Sequence, residues 1–186
     1  MAKVAVLLAQ GYEEGESITI VDLLRRAGIE CDTMSFGENF VKGMHGMWVK
    51  ADRQFDEKAL EAYDGLVLPG GRPGGANLRA NPRVIEQVQK FNREGKLVAA
   101  MCSGTLVLAE AGIIEGKRVT GYTGYAEKME GAVFLDDVVV TDGNLVTSQG
   151  PATCYPFAFQ IAEWFGKTQE VQTLKERLMY TFAKGK

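Results

Sequence analysis

At 186 residues, with 46% hydrophobic and 24% charged side chains, the chain has the composition of an ordinary folded domain, which excludes disorder and predicts one domain over 1–186. Twenty-four acids against 21 bases leave a net charge of −3, so nothing here attracts nucleic acid or an anionic membrane in general. No apolar run is long enough to cross a bilayer, Met1-Ala2-Lys3 leads into a strand-like run without a leader-like apolar stretch, and three widely spaced cysteines suit free thiols in a reducing cytoplasm.

Val4 to Ala9 is apolar on both faces and predicts a buried strand of a parallel sheet. After a polar break from Gln10 to Gly15, Ile20, Leu23, Leu24 and Ala27 recur at helical spacing until Gly28 stops the helix. Ile29 to Phe36 reads as a second strand, and Gly37 to Asp52 as a ribbon or loop region around Met47-Trp48-Val49. Leu66-Val67-Leu68 is a third strand that ends at Pro69-Gly70-Gly71. Asn81-Pro82 starts a helix with the apolar face Val84, Val88 and Phe91, closed by Gly95.

Leu97 to Met101 is a fourth strand, followed at once by Cys102-Ser103-Gly104 and a helical run from Thr105 to Ala111. Short strands around Val138 and Val146 flank the turn Asp142-Gly143-Asn144. Phe157, Ile161, Trp164 and Phe165 mark a late helix, and Val171, Leu174 and Leu178 a C-terminal one. The alternation predicts an α/β fold, an open and mostly parallel sheet with helices on both faces.

In such a sheet, ligands bind beyond the carboxyl ends of the strands, where the strand order reverses. Three predicted strand ends carry unusual residues: Glu13, Glu14 and Glu16 after the first, Pro69-Gly70-Gly71 after the third, and Cys102 after the fourth. Ala100-Met101-Cys102-Ser103-Gly104 has the strand, turn and helix context of a nucleophile elbow, with cysteine where hydrolases carry serine. A helix N-terminus beside the sulfur predicts a lowered thiol pKa. Cys31 and Cys154 lie in apolar contexts and read as structural.

The one histidine, His45, sits far upstream in the ribbon region, which disfavours a conventional Cys-His peptidase and leaves carboxylates as partners for the sulfur. Glu13 and Glu14 read as solvated acids at a helix start, and Glu16 as the carboxylate closest to the helix axis. Gly70 and Gly71 can aim backbone amides at an oxyanion. No P-loop, dinucleotide fingerprint, H-E-x-x-H or C-x-x-C occurs, so neither a nucleotide cofactor nor a metal is expected.

Four motifs in order, Gly11-Tyr12-Glu13-Glu14-Gly15-Glu16, Leu68-Pro69-Gly70-Gly71, Ala100-Met101-Cys102-Ser103-Gly104 and Thr147-Ser148-Gln149-Gly150-Pro151-Ala152-Thr153, give the chain a resemblance to the ThiJ/PfpI superfamily. The branch it resembles holds the Parkinson disease protein 7 deglycase and bacterial YajL. The likeness runs to about residue 166 and implies a flavodoxin-like three-layer sandwich, a homodimer and a site without cofactor. By position it implies Cys102 as the reactive cysteine, Glu16 as its hydrogen-bonding glutamate, and Gly71 and Ser103 as backbone donors of an oxyanion hole. Gly70, Gly150 and Pro151 then belong to turns at the site. Tyr122 stands where part of the family has a histidine. His45, at the place of an interface arginine, is expected to reach a partner subunit's site.

The implied activity is aldehyde chemistry on glyoxal or methylglyoxal, free or as adducts on proteins or nucleotides, in defence against carbonyl and oxidative stress. A redox-sensing chaperone with an oxidisable cysteine is the alternative.

Overall fold

The apolar run near the start forms β1 (Lys3–Leu8), and its residues from Val4 to Leu8 are all buried, as a strand covered on both faces requires. The protein is described by a computed structural model over residues 1–183. From β1 the chain enters α1 (Glu14–Arg26), β2 (Glu30–Ser35), the ribbon strands β3 (Phe40–Lys42) and β4 (Trp48–Lys50), and a short β5 (Arg53–Gln54). Next come α2 (Glu57–Leu60), β6 (Gly65–Leu68), α3 (Gly74–Arg79), α4 (Pro82–Arg93) and β7 (Leu97–Met101). One 3-10 turn, Cys102–Gly104, joins β7 to α5 (Thr105–Glu110). A small side pair, β8 (Arg118–Val119) and β9 (Val133–Phe134), precedes the hairpin β10 (Val139–Asp142) and β11 (Leu145–Ser148). The helices α6 (Cys154–Trp164), α7 (Thr168–Arg177) and α8 (Tyr180–Ala183) complete the described chain.

The large sheet has the order β10-β11-β7-β6-β1-β2-β5, parallel throughout except for the β10/β11 hairpin. From β1 the chain builds outward through β2 and β5, then returns to the other side of β1 to add β6, β7 and β11. The order therefore reverses between β1 and β6, and the carboxyl ends of these two strands and of β7 open onto one crevice.

Each face of the sheet is covered. Ile20 and Leu24 of α1 and Phe157 and Ile161 of α6 pack with Val4, Val6, Val67 and Ala99. On the other face Val84, Val88 and Phe91 of α4 and Val107 and Leu108 of α5 pack with Ala5, Leu7, Leu66 and Val98. The expected three-layer sandwich is what forms. Helix boundaries obey the local signals: Asn81 accepts from the Arg83 amide at 3.0 Å, and Gly28 follows α1 at φ +77°.

The short elements escape the sequence reading. β5, α2, β8 and β9 span two to four residues each, too few for a period to register. Gly74 and Gly75 open α3, a helix absent from the elements expected of the sequence. A Cβ on Gly75 would lie 2.3 Å from Ser103 Oγ, so the glycine lets α3 approach the Cys102 turn, and this tertiary contact overrides weak helix propensity.

Candidate active site

Cys102 is the first residue after β7, and its backbone takes φ +52°, a region that non-glycine residues occupy only under local strain. Gly104 makes the bend feasible: a Cβ there would sit 2.1 Å from the carbonyl oxygen of Leu68 on β6. Thr105 Oγ1 donates to the Cys102 carbonyl at 2.7 Å and ties the turn to α5. Ser103 Oγ donates to the Gly71 carbonyl at 3.0 Å, joining the cysteine turn to the glycine loop after β6. Gly71 itself lies at φ +110°, where an added Cβ would come within 2.3 Å of the Gly11 carbonyl. Three loops from three strand ends thus interlock around one half-buried sulfur.

Glu16, in the first turn of α1, is wholly inaccessible to solvent. Its Oε2 accepts from the Gly70 amide at 2.7 Å, while Oε1 has no hydrogen-bond partner. The carboxyl and the sulfur meet over Gly70: a Cβ on that glycine would lie 2.9 Å from Cys102 Sγ and 3.0 Å from Glu16 Oε2. Burial raises Glu16 to about 7, outweighing the Gly70 amide and the Cys102 thiol, which both pull it down.

The expectation of a lowered thiol fails. Burial and the facing Glu16 charge push Cys102 up to about 12, against the amides of Ser103 and Gly71. The helix that was to lower it has six residues and begins only after the 3-10 turn, so its dipole is short and displaced from the sulfur. The two groups hold protons jointly: once Glu16 is protonated, the carboxylate that raises the thiol is gone.

A cleft of about 310 Å³ opens over the sulfur and is lined by Cys102, Ser103, Gly71, Tyr122, Pro151 and His45. Glu16 and Gly70 stand behind Cys102, and Gly150 backs the Tyr122 ring, to which an added Cβ would come within 3.6 Å. The structure therefore gathers every residue that the sequence pointed to. Within its own chain, His45 lines the same cleft as Cys102. Met44, Arg72 and Tyr125, which the sequence did not single out, are further walls of that cleft, as is Glu13, expected to be a solvated acid.

It also misjudged Glu14, which is only 5% exposed. Its Oε1 accepts from the amides of His45 at 2.8 Å and Met47 at 3.3 Å, and its Oε2 lies 2.9 Å from His45 Nδ1. Burial opposes its charge, but these hydrogen bonds prevail and hold the carboxyl below its ordinary range. The space it occupies exists because residue 43 is glycine: a Cβ there would lie 2.2 Å from Glu14 Oε1. No local pattern could reveal a contact made across 31 residues.

Ligand atoms of Glu13, Glu14 and His45 lie within 4.8 Å of one another, the one such cluster among the described residues. The Glu14 carboxylate is already taken up by three N–H groups, so the cluster reads as a hydrogen-bonded unit rather than an open metal cage. Cys154, buried at the start of α6, points its Sγ at the Gly15 carbonyl at 3.9 Å. Cys31 is buried in β2, and all three cysteines are free thiols.

Residues 2–164 match the profile of the DJ-1/PfpI family. The chain is 36% identical over 180 residues to Protein dj-1beta of Drosophila melanogaster, covering 95% of this chain and 96% of that protein. The crystal structure of Drosophila melanogaster DJ-1beta superposes with a TM-score of 0.91 at 35% identity, covering 96% of this chain and 97% of that one. Deglycase PfpI of Pyrococcus furiosus is 37% identical over 155 residues, 82% of this chain and 93% of its own. A structure described as Toxoplasma gondii DJ-1, oxidized, has a TM-score of 0.90 at 29% identity, covering 96% of this chain and 98% of that one.

Proposed function

The chain belongs to the DJ-1/PfpI family, and on that premise we propose that it is a cofactor-free, cysteine-dependent glyoxalase and deglycase. Its substrates are glyoxal and methylglyoxal, free or as adducts on protein or nucleotide amines and thiols. One observation carries this reading: a carboxyl with no solvent exposure, held at about 7, lies against a half-buried sulfur on a strained turn. Such a group is poised to take and return a proton at neutral pH.

With methylglyoxal, the Cys102 sulfur adds to the aldehyde carbon and its proton passes to Glu16. The carbonyl electron pair moves to oxygen, beside the Gly71 and Ser103 amides, and Glu16 returns the proton there to give the hemithioacetal. Glu16 then removes the hydrogen of that carbon and delivers it to the neighbouring one, while the hydroxyl proton moves to the adjacent oxygen. The first carbon is oxidised and the second reduced, leaving a lactoyl thioester on Cys102. Water adds to the thioester, lactate departs, and the sulfur regains a proton. The sum is methylglyoxal plus water to lactic acid, with no external oxidant or reductant.

Lactate formation from methylglyoxal without glutathione tests this directly. The wild type should turn over and Cys102→Ala should not; equal rates sink the proposal. The same proposal places the protein in the cytoplasm as a homodimer. Large exposed side chains, Ile18 on α1 and Phe40, Met47 and Trp48 around the ribbon, support a second copy packing there. Light scattering that gives a monomer mass at micromolar concentration would remove that part.

A second reading, a redox sensor and chaperone with little turnover, draws on the access of Cys102 to the cleft and on the two amides beside its sulfur. A sulfinate there would accept from those amides and from protonated Glu16. Intact mass after mild peroxide separates the two: two added oxygens on Cys102, without aldehyde turnover, favours the sensor.

A further inference from the structure

The reaction proposed above leaves one proton transfer without an agent. Glu16 is sealed from solvent beside the sulfur and Gly70, whereas the water arrives from the open side of the cleft. That water attacks the thioester and must lose a proton. The cleft lining also holds the sole imidazole of the sequence, His45, whose side chain is 64% exposed.

The His45 ring is fixed. Its Nδ1 lies 2.9 Å from Glu14 Oε2, and its own amide donates to Glu14 Oε1 at 2.8 Å. Glu14 is buried and its carboxyl is held in the ionised form, so it can only accept, and the proton of a neutral His45 resides on Nδ1. Nε2 is then the basic nitrogen. This is the orienting relation that a carboxylate has to a catalytic histidine.

We infer that Glu14 and His45 form the hydrolytic base of the site: His45 Nε2 takes a proton from the water that attacks the Cys102 thioester, and then gives it to the departing sulfur. The C–S bond breaks as the C–O bond forms, and the imidazole ends as it began. Proton traffic is thereby divided, with Glu16 serving the carbon transfers from behind the sulfur and His45 serving water from the rim. Glu14 touches no reacting atom and acts as a positioning residue. The charged and titratable groups that face His45 are Glu13, at 3.9 Å, and Glu14, with Arg72, Cys102, Tyr122 and Tyr125 around the same cleft.

The inference rests on the glyoxalase reading, and the test separates their failures. His45→Gln should lower kcat about 100-fold and accumulate an adduct on Cys102 equal in mass to one methylglyoxal. Hydroxylamine should release that adduct as lactohydroxamic acid, the product of a thioester, whereas a hemithioacetal would give only the oxime of methylglyoxal. The pH profile of kcat should differ from that of wild type, and added imidazole should restore turnover to His45→Gly. Glu14→Gln should alter the pH profile of kcat while retaining part of kcat. Wild-type kcat and pH profile in His45→Gln would overturn the inference, as would a variant in which the adduct never forms, which would put His45 at the addition step. Activity surviving in Cys102→Ala would instead strike the reading beneath it.

Discussion

Glu14 and Glu16 stand two residues apart in the first turn of the same helix, and both are removed from solvent, yet their protons behave oppositely. Glu14 meets three N–H groups from the ribbon and is held in the charged form. Glu16 meets one, from Gly70, keeps Oε1 unpartnered, and is raised to about 7. Both are screened from water, but Glu16 lies far deeper in the protein, and burial weighs more on its charge. Depth and the number of donors supplied from elsewhere in the chain together decide the charge. One glutamate becomes an anion hydrogen-bonded to a histidine, and the other a carboxyl raised to about 7 beside a thiol.

Four substitutions break or sharpen this contrast, in falling order of effect on turnover or stability. Glu16→Gln should cut kcat for methylglyoxal by ~10²–10³-fold, because the amide cannot carry the proton. The same variant should be more stable than wild type at pH 8. The folded Glu16 binds its proton more tightly than the ordinary carboxyl at 4.5, so wild-type stability falls as pH rises from there through about 7. Removing the ionisable group recovers at most about 3 kcal/mol above that range and nothing at pH 4, measurable as urea midpoints at the two pH values. A variant no more stable at pH 8 than at pH 4, relative to wild type, would deny the raised carboxyl.

Gly70→Ala should lower kcat by ~10-fold and stability by ~1–3 kcal/mol, since the new methyl would lie 2.7 Å from Cys102 Cβ and must push the sulfur from the carboxyl. Glu14→Gln should do the reverse of Glu16→Gln, lowering stability at pH 8 by about 2 kcal/mol as charge-assisted hydrogen bonds weaken. That loss should shrink as pH falls and wild-type Glu14 protonates, which happens below the usual carboxylate range because its pKa is depressed. Tyr122→Phe should change kcat/KM less than about threefold, because it keeps the ring that packs on Tyr125 at 5.6 Å beside the cleft. A large loss on removing that hydroxyl would give Tyr122 a chemical role.

The sandwich and the tight turn at Cys102 were legible in the sequence. Fully apolar runs such as Val4 to Leu8 and Leu97 to Met101 can only be strands covered on both sides, and Asn81-Pro82 marks a helix start by local hydrogen bonding and a preset φ. Cys102-Ser103-Gly104 between a strand and a helix declares the elbow, because only a residue such as Gly104 lets it lie against Leu68. These are properties of a few neighbouring residues. What tertiary structure alone decided is which charges those residues carry and what faces the sulfur. Glu16 meets Gly70 across 54 positions and Glu14 meets His45 across 31, so neither protonation state is written in its own neighbourhood. Electrostatic character at a site is set by donors and burial that arrive through space, and only the folded chain brings them together.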